Sequence, residues 1–139
     1  MRALIAPIAQ IAFTAATALM SLPAVAQEAE TGRQLYLDFC AVCHGDGGTG
    51  DGVMSEVLTI APADLTRLAA GGDFPVLQVA EQIDGRRPMA AHGGDMPIFG
   101  RWFEGAGPDV ALPGPGGQPV LVSRPIADLI AYLNALQVR

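Results

Sequence analysis

Cys40-Ala41-Val42-Cys43-His44 sets two thiols three residues apart and an imidazole directly behind the second. This is C-x-x-C-H, the spacing at which c-type haem is attached. Two thiols near a helix end can add to the two vinyl groups of a haem as thioethers. The histidine that follows is then placed under the iron as its proximal ligand. Cys40 and Cys43 are the only cysteines in the chain. Two other uses of the pair fit less well. A disulfide across C-x-x-C closes a very small loop and stabilises little. A thioredoxin-like pair sits at a helix N-terminus after a strand, whereas here a helical pattern precedes the cysteines and a glycine loop follows them.

The elements that must position this motif follow from periodicity. Thr31-Gly32-Arg33-Gln34 has capping-box spacing, and Leu35, Tyr36, Phe39, Val42 and Cys43 then recur at three- and four-residue intervals. A first helix is therefore predicted from about Gly32 to Gly45. The run GDGGTGDG at 45–52 reads as a loop, followed by a short helical piece around Met54–Leu58 before Pro62. Asp73 is the expected N-cap of a second helix, with Pro75 in its first turn, Val76, Val79, Ala80 and Ile83 on one face, and Gly85 as its stop. A last helix is predicted from Ser123-Arg124-Pro125, with Ile126, Leu129, Ile130, Leu133 and Leu136 as its apolar stripe. No regular element is predicted within 86–124, and no strand or repeat anywhere. Three helices and so long an irregular segment leave the core short of material. A group that is not protein is expected to fill it.

Composition sets the frame. The 139 residues carry 8 basic side chains, all arginine, against 14 acidic ones, for a net charge of −6. That balance argues against a nucleic-acid binder, which needs a basic stripe to displace counterions from phosphates. Two cysteines cannot staple a disulfide-rich scaffold. Residues 1–26 read as a signal peptide: Met1-Arg2, an Ala-rich apolar stretch to Leu22, then Pro23-Ala24-Val25-Ala26 with small residues where a signal peptidase reads. Cleavage is expected after Ala26, leaving 27–139 as one domain in the periplasm. An uncleaved anchor helix is the alternative, opposed by Pro7, Gln10 and the Ala24-Val25-Ala26 ending.

If the iron is held on both faces, the candidates for its sixth ligand are Met54, Met89, Met96 and His92. Met54 lies only ten residues beyond His44 and is expected in the core. Met96 precedes Pro97 in the glycine-flanked loop GGDMPIFG, while Met89 and a bis-histidine site through His92 remain open. Ile98, Phe99, Trp102 and Phe103 are expected around the macrocycle or in ordinary core. Arg86, Arg87 and Arg101 flank the Met96 segment as propionate partners, solvated surface or a docking patch.

With these residues the mature chain resembles the small single-haem, class I-like c-type cytochromes of bacterial electron transport. The carriers of the resemblance are Gly32 with Tyr36 or Phe39, the Cys40–His44 motif, the glycine loop, Pro62-Ala63-Asp64-Leu65, Met96-Pro97 and the final helix. The resemblance implies an all-α, cytochrome c-like fold of three to five helices wrapped around one covalently attached haem, with long irregular loops. It implies that the first and last helices cross with Gly32 or Tyr36 against Tyr132, that Pro62 supplies the carbonyl accepting the proximal His44 N–H, and that Met96 is the sixth ligand. The haem c would be bound through Cys40 and Cys43, its iron through His44 and Met96.

Mitochondrial-type carriers dock through a ring of lysines, and this chain has none. A dipolar surface is expected instead, basic around Met96 and acidic elsewhere. The segment 104–124 exceeds what a minimal carrier needs and reads as a surface loop or a subunit contact. The function implied is one-electron transfer without substrate turnover, between partners such as a quinol-oxidising complex, a dehydrogenase or a terminal oxidase or reductase. Membranes are met only through docking to such complexes. A haem subunit of a dehydrogenase or oxidase complex is the alternative, and a haem enzyme or gas sensor with an open iron position is a third.

Overall fold

The structure is a computed structural model that describes residues 28–87 and 96–138. Its helices are α1 (Ala29–Phe39), α2 (Ala41–His44), α3 (Val76–Asp84) and α4 (Arg124–Ala135). A two-stranded antiparallel hairpin, β1 (Val110–Pro113) and β2 (Pro119–Val122), precedes α4. Among the described residues no helix is long and apolar enough to cross a membrane.

The helix α1 starts earlier than its capping-box spacing predicts. Its N-cap is Glu28, whose side chain makes no cap. The Glu28 backbone N–H donates instead to Asp128 Oδ1 on α4 at 2.8 Å. One orphan donor at the helix start is thus satisfied by a distant carboxylate, and Thr31 falls inside the helix. Gln34 donates to Glu30 rather than closing a box. Nor does the helix run unbroken to Gly45. Cys40, at φ −112°, separates α1 from the single turn α2.

Helices α1 and α4 form the centre of the fold. Gly32 permits their contact, because a Cβ there would collide with the Asp128 carbonyl. One turn on, Tyr36 is fully buried and its ring lies 5.2 Å from that of Tyr132. Of the two alternatives implied by the resemblance, Tyr36 is the one that meets Tyr132, while Gly32 meets the Asp128 backbone instead. From α4, Ile126, Leu129, Ile130 and Leu133 are buried as the stripe predicts, and α3 contributes Val79, Ala80 and Ile83. The α3 N-cap is Pro75 rather than Asp73, while Gly85 closes the helix in the left-handed region at φ 84°.

The hairpin corrects the strand-free expectation for 104–124. Leu112, Val120 and Val122 are buried, while Ala111 and Leu121 point outward. This is the period-two pattern of a half-buried ladder. Pro113 pairs with Pro119 at its end, where a residue without N–H costs the ladder least. The fold is thus mostly helical with a small sheet rather than purely α. The segment around Met54–Leu58 forms successive turns rather than a helix.

Candidate functional site

The site is assembled by carbonyls that a one-turn helix leaves over. The last carbonyls of a helix lack partners within it. In α2 those of Val42, Cys43 and His44 accept from the N–H groups of Met54, Gly52 and Gly50 at 2.9, 3.1 and 2.8 Å. The glycine loop therefore doubles back onto the motif. Gly52 has to be glycine, because a Cβ would press on the backbone of Ala41, Val42 and Cys43. The same hydrogen bonding takes Met54 out of the expected core: its side chain is exposed.

The loop then brings a carbonyl to the histidine. His44 Nδ1 lies 3.0 Å from the Ala63 carbonyl oxygen. A carbonyl can only accept, so Nδ1 carries the proton and Nε2 keeps its lone pair for a metal. The partner is Ala63 rather than Pro62; the Pro62 carbonyl instead faces Gly50, where a Cβ would strike it. Asp64 holds this stretch by accepting from Thr66 N and Thr66 Oγ1 at 2.9 and 2.6 Å, capping a 3-10 turn over Leu65–Arg67. These bonds keep the Asp64 carboxyl below its ordinary range, the Thr66 side-chain hydroxyl contributing most. Gln137 fastens the same turn from the end of the chain, taking a bond from Ala69 N and donating to the Leu65 and Leu133 carbonyls.

Cys40 and Cys43 are half-buried free thiols. Burial, and after it the neighbouring Cys43 thiol, pushes the Cys40 thiol up to about 12. The thiol is thus protonated at neutral pH.

Met96 sits on a segment clamped to the end of α3. Phe99 N–H donates to the Ile83 carbonyl at 2.9 Å, Ile98 packs where a Gly85 side chain would lie, and Gly100 lies against the Asp84 carbonyl. Aromatic rings join this segment to the motif. Phe39, next to Cys40, meets Phe99, Trp102 and Phe103 edge-on, with centroids 6.2, 6.1 and 5.4 Å away. Phe103 is core and Phe99 half-buried, whereas Ile98 and Trp102 stay exposed. Arg86 pairs with Asp84 and reaches the Leu121 carbonyl of β2, so its charge is met within the chain, while Arg87 and Arg101 are exposed. Met89 and His92 lie outside the described residues, as do residues 1–26.

The donor set fits a covalently held haem on three observations. Two free thiols flank one helical turn, and the imidazole beside them is oriented by a backbone carbonyl with its other nitrogen left for metal. Large apolar side chains also stand open around the motif: Val53 and Val57, at 82% and 71% exposed, on the loop bonded back to α2, and Trp102, at 72%, on Phe39. Exposed apolar side chains beside the motif leave surface that an apolar macrocycle could cover.

A small helical domain built around a C-x-x-C-H turn is the architecture of a haem-attaching protein. The chain belongs to the cytochrome c family, whose family model, described as cytochrome c, matches residues 29–137. Comparison with curated proteins and with solved structures gives no match. Membership in this family brings covalently attached haem c and haem-based electron transfer, the general role of its members.

The sequence names Cys40, Cys43, His44 and Met96 as candidates, and the structure adds Ala63 and Gln137 as residues that support the His44 side of the site. Asp64 with Thr66 two residues on carries a readable capping signal. Gln137 carries none for the turn it fastens, because Leu65 and Ala69 are distant from it in sequence.

Proposed function

We propose that this chain is an exported, periplasmic one-electron carrier that holds one haem c through Cys40 and Cys43, with His44 and Met96 on the two faces of its iron. The observation that carries the reading is the 3.0 Å bond from His44 Nδ1 to the Ala63 carbonyl. It fixes the ring, makes Nε2 the metal-binding nitrogen and raises its basicity.

When bound, the haem supplies an iron that alternates between its ferrous and ferric states. The rest is the work of the chain. Cys40 and Cys43 tether, and Ala63 orients the imidazole. The glycine loop, itself bonded to α2, keeps the turn from shifting on electron transfer. A thioether opposite an imidazole raises the reduction potential, which suits a carrier between quinol-oxidising complexes or dehydrogenases and terminal oxidases or reductases. Met96 suits the sixth position because its segment is anchored both to α3 and, through Phe99 and Phe39, to the motif. Arg87 and Arg101, with no lysine in the chain, supply local positive charge near that segment for steering toward an acidic partner surface.

The test is to produce the full chain with its haem-loading machinery and record mass and optical spectra in both redox states. The expected product carries one haem covalently, shows the methionine-sulfur-to-iron charge-transfer band when ferric, and binds carbon monoxide slowly when ferrous. A colourless product at the mass of bare peptide overturns the reading. Rapid carbon monoxide binding turns it toward an open-site haem protein.

A further inference from the structure

Gln82 is the polar residue that α3 directs at the Met96 segment. Its Nε2 donates to Met96 Sδ at 3.6 Å, a distance suited to a large and weakly accepting sulfur. The helix behind it is fixed, since Val79, Ala80 and Ile83 are buried in the core. The Met96 segment is fixed to the same helix end by Phe99 N–H on the Ile83 carbonyl and by the Gly100 contact with Asp84. Donor and acceptor are therefore held on one rigid unit. Methionine is otherwise among the least constrained of side chains, with three rotatable bonds and a thioether that settles wherever space allows.

We infer that Gln82 is a positioning residue for the sixth ligand, holding the Met96 thioether in one rotamer by a hydrogen bond to one of its two sulfur lone pairs and leaving the other for iron. The inference rests on Met96 being that ligand. Its consequence is a barrier against displacement. A thioether is a weak ligand, and an unrestrained Met96 swings away at little cost when a stronger ligand competes. With the amide in place, leaving the iron also breaks or rearranges the Gln82 bond.

The experiment uses the haem-loaded full chain, with Gln82→Leu, which removes the donor, and Gln82→Glu, which keeps the shape but presents a carboxylate that cannot donate at neutral pH. Ferric wild type and both variants are titrated with imidazole while the methionine-sulfur-to-iron charge-transfer band is followed. One hydrogen bond of ordinary strength corresponds to about a 3- to 10-fold change in an equilibrium. Imidazole is thus expected to bind both variants about 3- to 10-fold more tightly, with the band shifted or weakened before any imidazole is added. A merely structural glutamine would change the unfolding midpoint and leave band and imidazole affinity alone. Unchanged affinity and band in both variants overturn the inference. Met96→Ala separates the two levels: if it keeps the band, Met96 is not the ligand and the inference falls with that reading. If it loses the band while the Gln82 variants behave as wild type, only the role of Gln82 is refuted.

Discussion

The Tyr36 hydroxyl donates to the Gly45 carbonyl at 2.6 Å, one residue beyond His44. A fully buried ring of α1 thereby holds the turn at which the chain leaves the haem-binding motif. Burial, with smaller contributions from Cys40, Tyr132, Asp46 and Asp51, raises the Tyr36 phenol well above its ordinary value. The native state therefore favours the protonated phenol.

Tyr36→Phe is expected to cost about 0.5–1.5 kcal/mol, the worth of one hydrogen bond, because the Gly45 carbonyl keeps its bond from Gly48 N–H. Ring packing on Tyr132 persists. Since the native phenol titrates above the unfolded one, the advantage of wild type is complete below about pH 10. It shrinks as pH rises beyond that, where the unfolded phenol ionises first. Guanidinium unfolding of both haem-loaded proteins from pH 7 to 11 checks the magnitude and the sign.

Gly32→Ala tests the helix crossing. The added methyl meets the Asp128 carbonyl, which is backbone and cannot rotate away. The two helices must part, and overpacking of this kind costs roughly 1–3 kcal/mol. The gain in helix propensity from Gly to Ala, up to ~1 kcal/mol, offsets only part of it. A lowered midpoint in denaturant with unchanged far-ultraviolet circular dichroism is the expected result.

The difference between what the sequence disclosed and what it concealed follows the range of the interactions. The Cys40–His44 turn stands out as a candidate because the spacing that marks it is local. The α4 stripe and the Gly85 stop were legible because periodicity and left-handed backbone are local too. Failures came where a distant group decided. The start of α1 is set by Asp128, a hundred residues away, which overrode the Thr31 capping signal. The proximal carbonyl belongs to Ala63 because the loop after α2 closes by hydrogen bonds from Gly50, Gly52 and Met54 that no spacing rule contains. The hairpin was readable in principle, as Val110-Ala111-Leu112 and Val120-Leu121-Val122 are two short apolar runs on either side of a Gly/Pro turn. The surrounding prolines and glycines mask four-residue strands.

Arg86→Ala should do little to stability. Its half-exposed guanidinium pairs with Asp84 and reaches Leu121 O at a long 3.5 Å, and the Asp84 carboxylate, 11% exposed, keeps its bond from Arg86 N–H when the side chain is removed. Surface pairs contribute about 0–1 kcal/mol, so a change in unfolding free energy below ~1 kcal/mol is expected at moderate salt. A larger loss would mean that the arginine fastens the hairpin to α3 as a structural tie.

Asp64→Ala reaches His44, the proposed iron ligand, indirectly. Asp64 accepts two bonds from Thr66 and so fixes the turn that begins next to Ala63, whose carbonyl orients His44. Without those bonds the turn keeps the Gln137 contacts and the backbone bonds Leu65 N–H to Gly48 O and Val138 N–H to Thr66 O, but loses its cap next to Ala63, and the hydrogen bond to His44 loosens. A weaker bond at Nδ1 makes the imidazole a poorer donor, which favours the ferrous state, so the reduction potential of the loaded variant is expected to rise. The effect on folding carries its own signature. Because the native carboxyl titrates below the unfolded one, the stability that Asp64 contributes is present above about pH 3.9 and is lost as pH falls through the lower native value. Wild type and Asp64→Ala should therefore differ in unfolding free energy at pH 6 and converge toward pH 2. Redox titration at neutral pH and denaturant unfolding across the acid range measure the two consequences separately. A potential that stays at the wild-type value while the stability difference appears would confine Asp64 to capping its own turn.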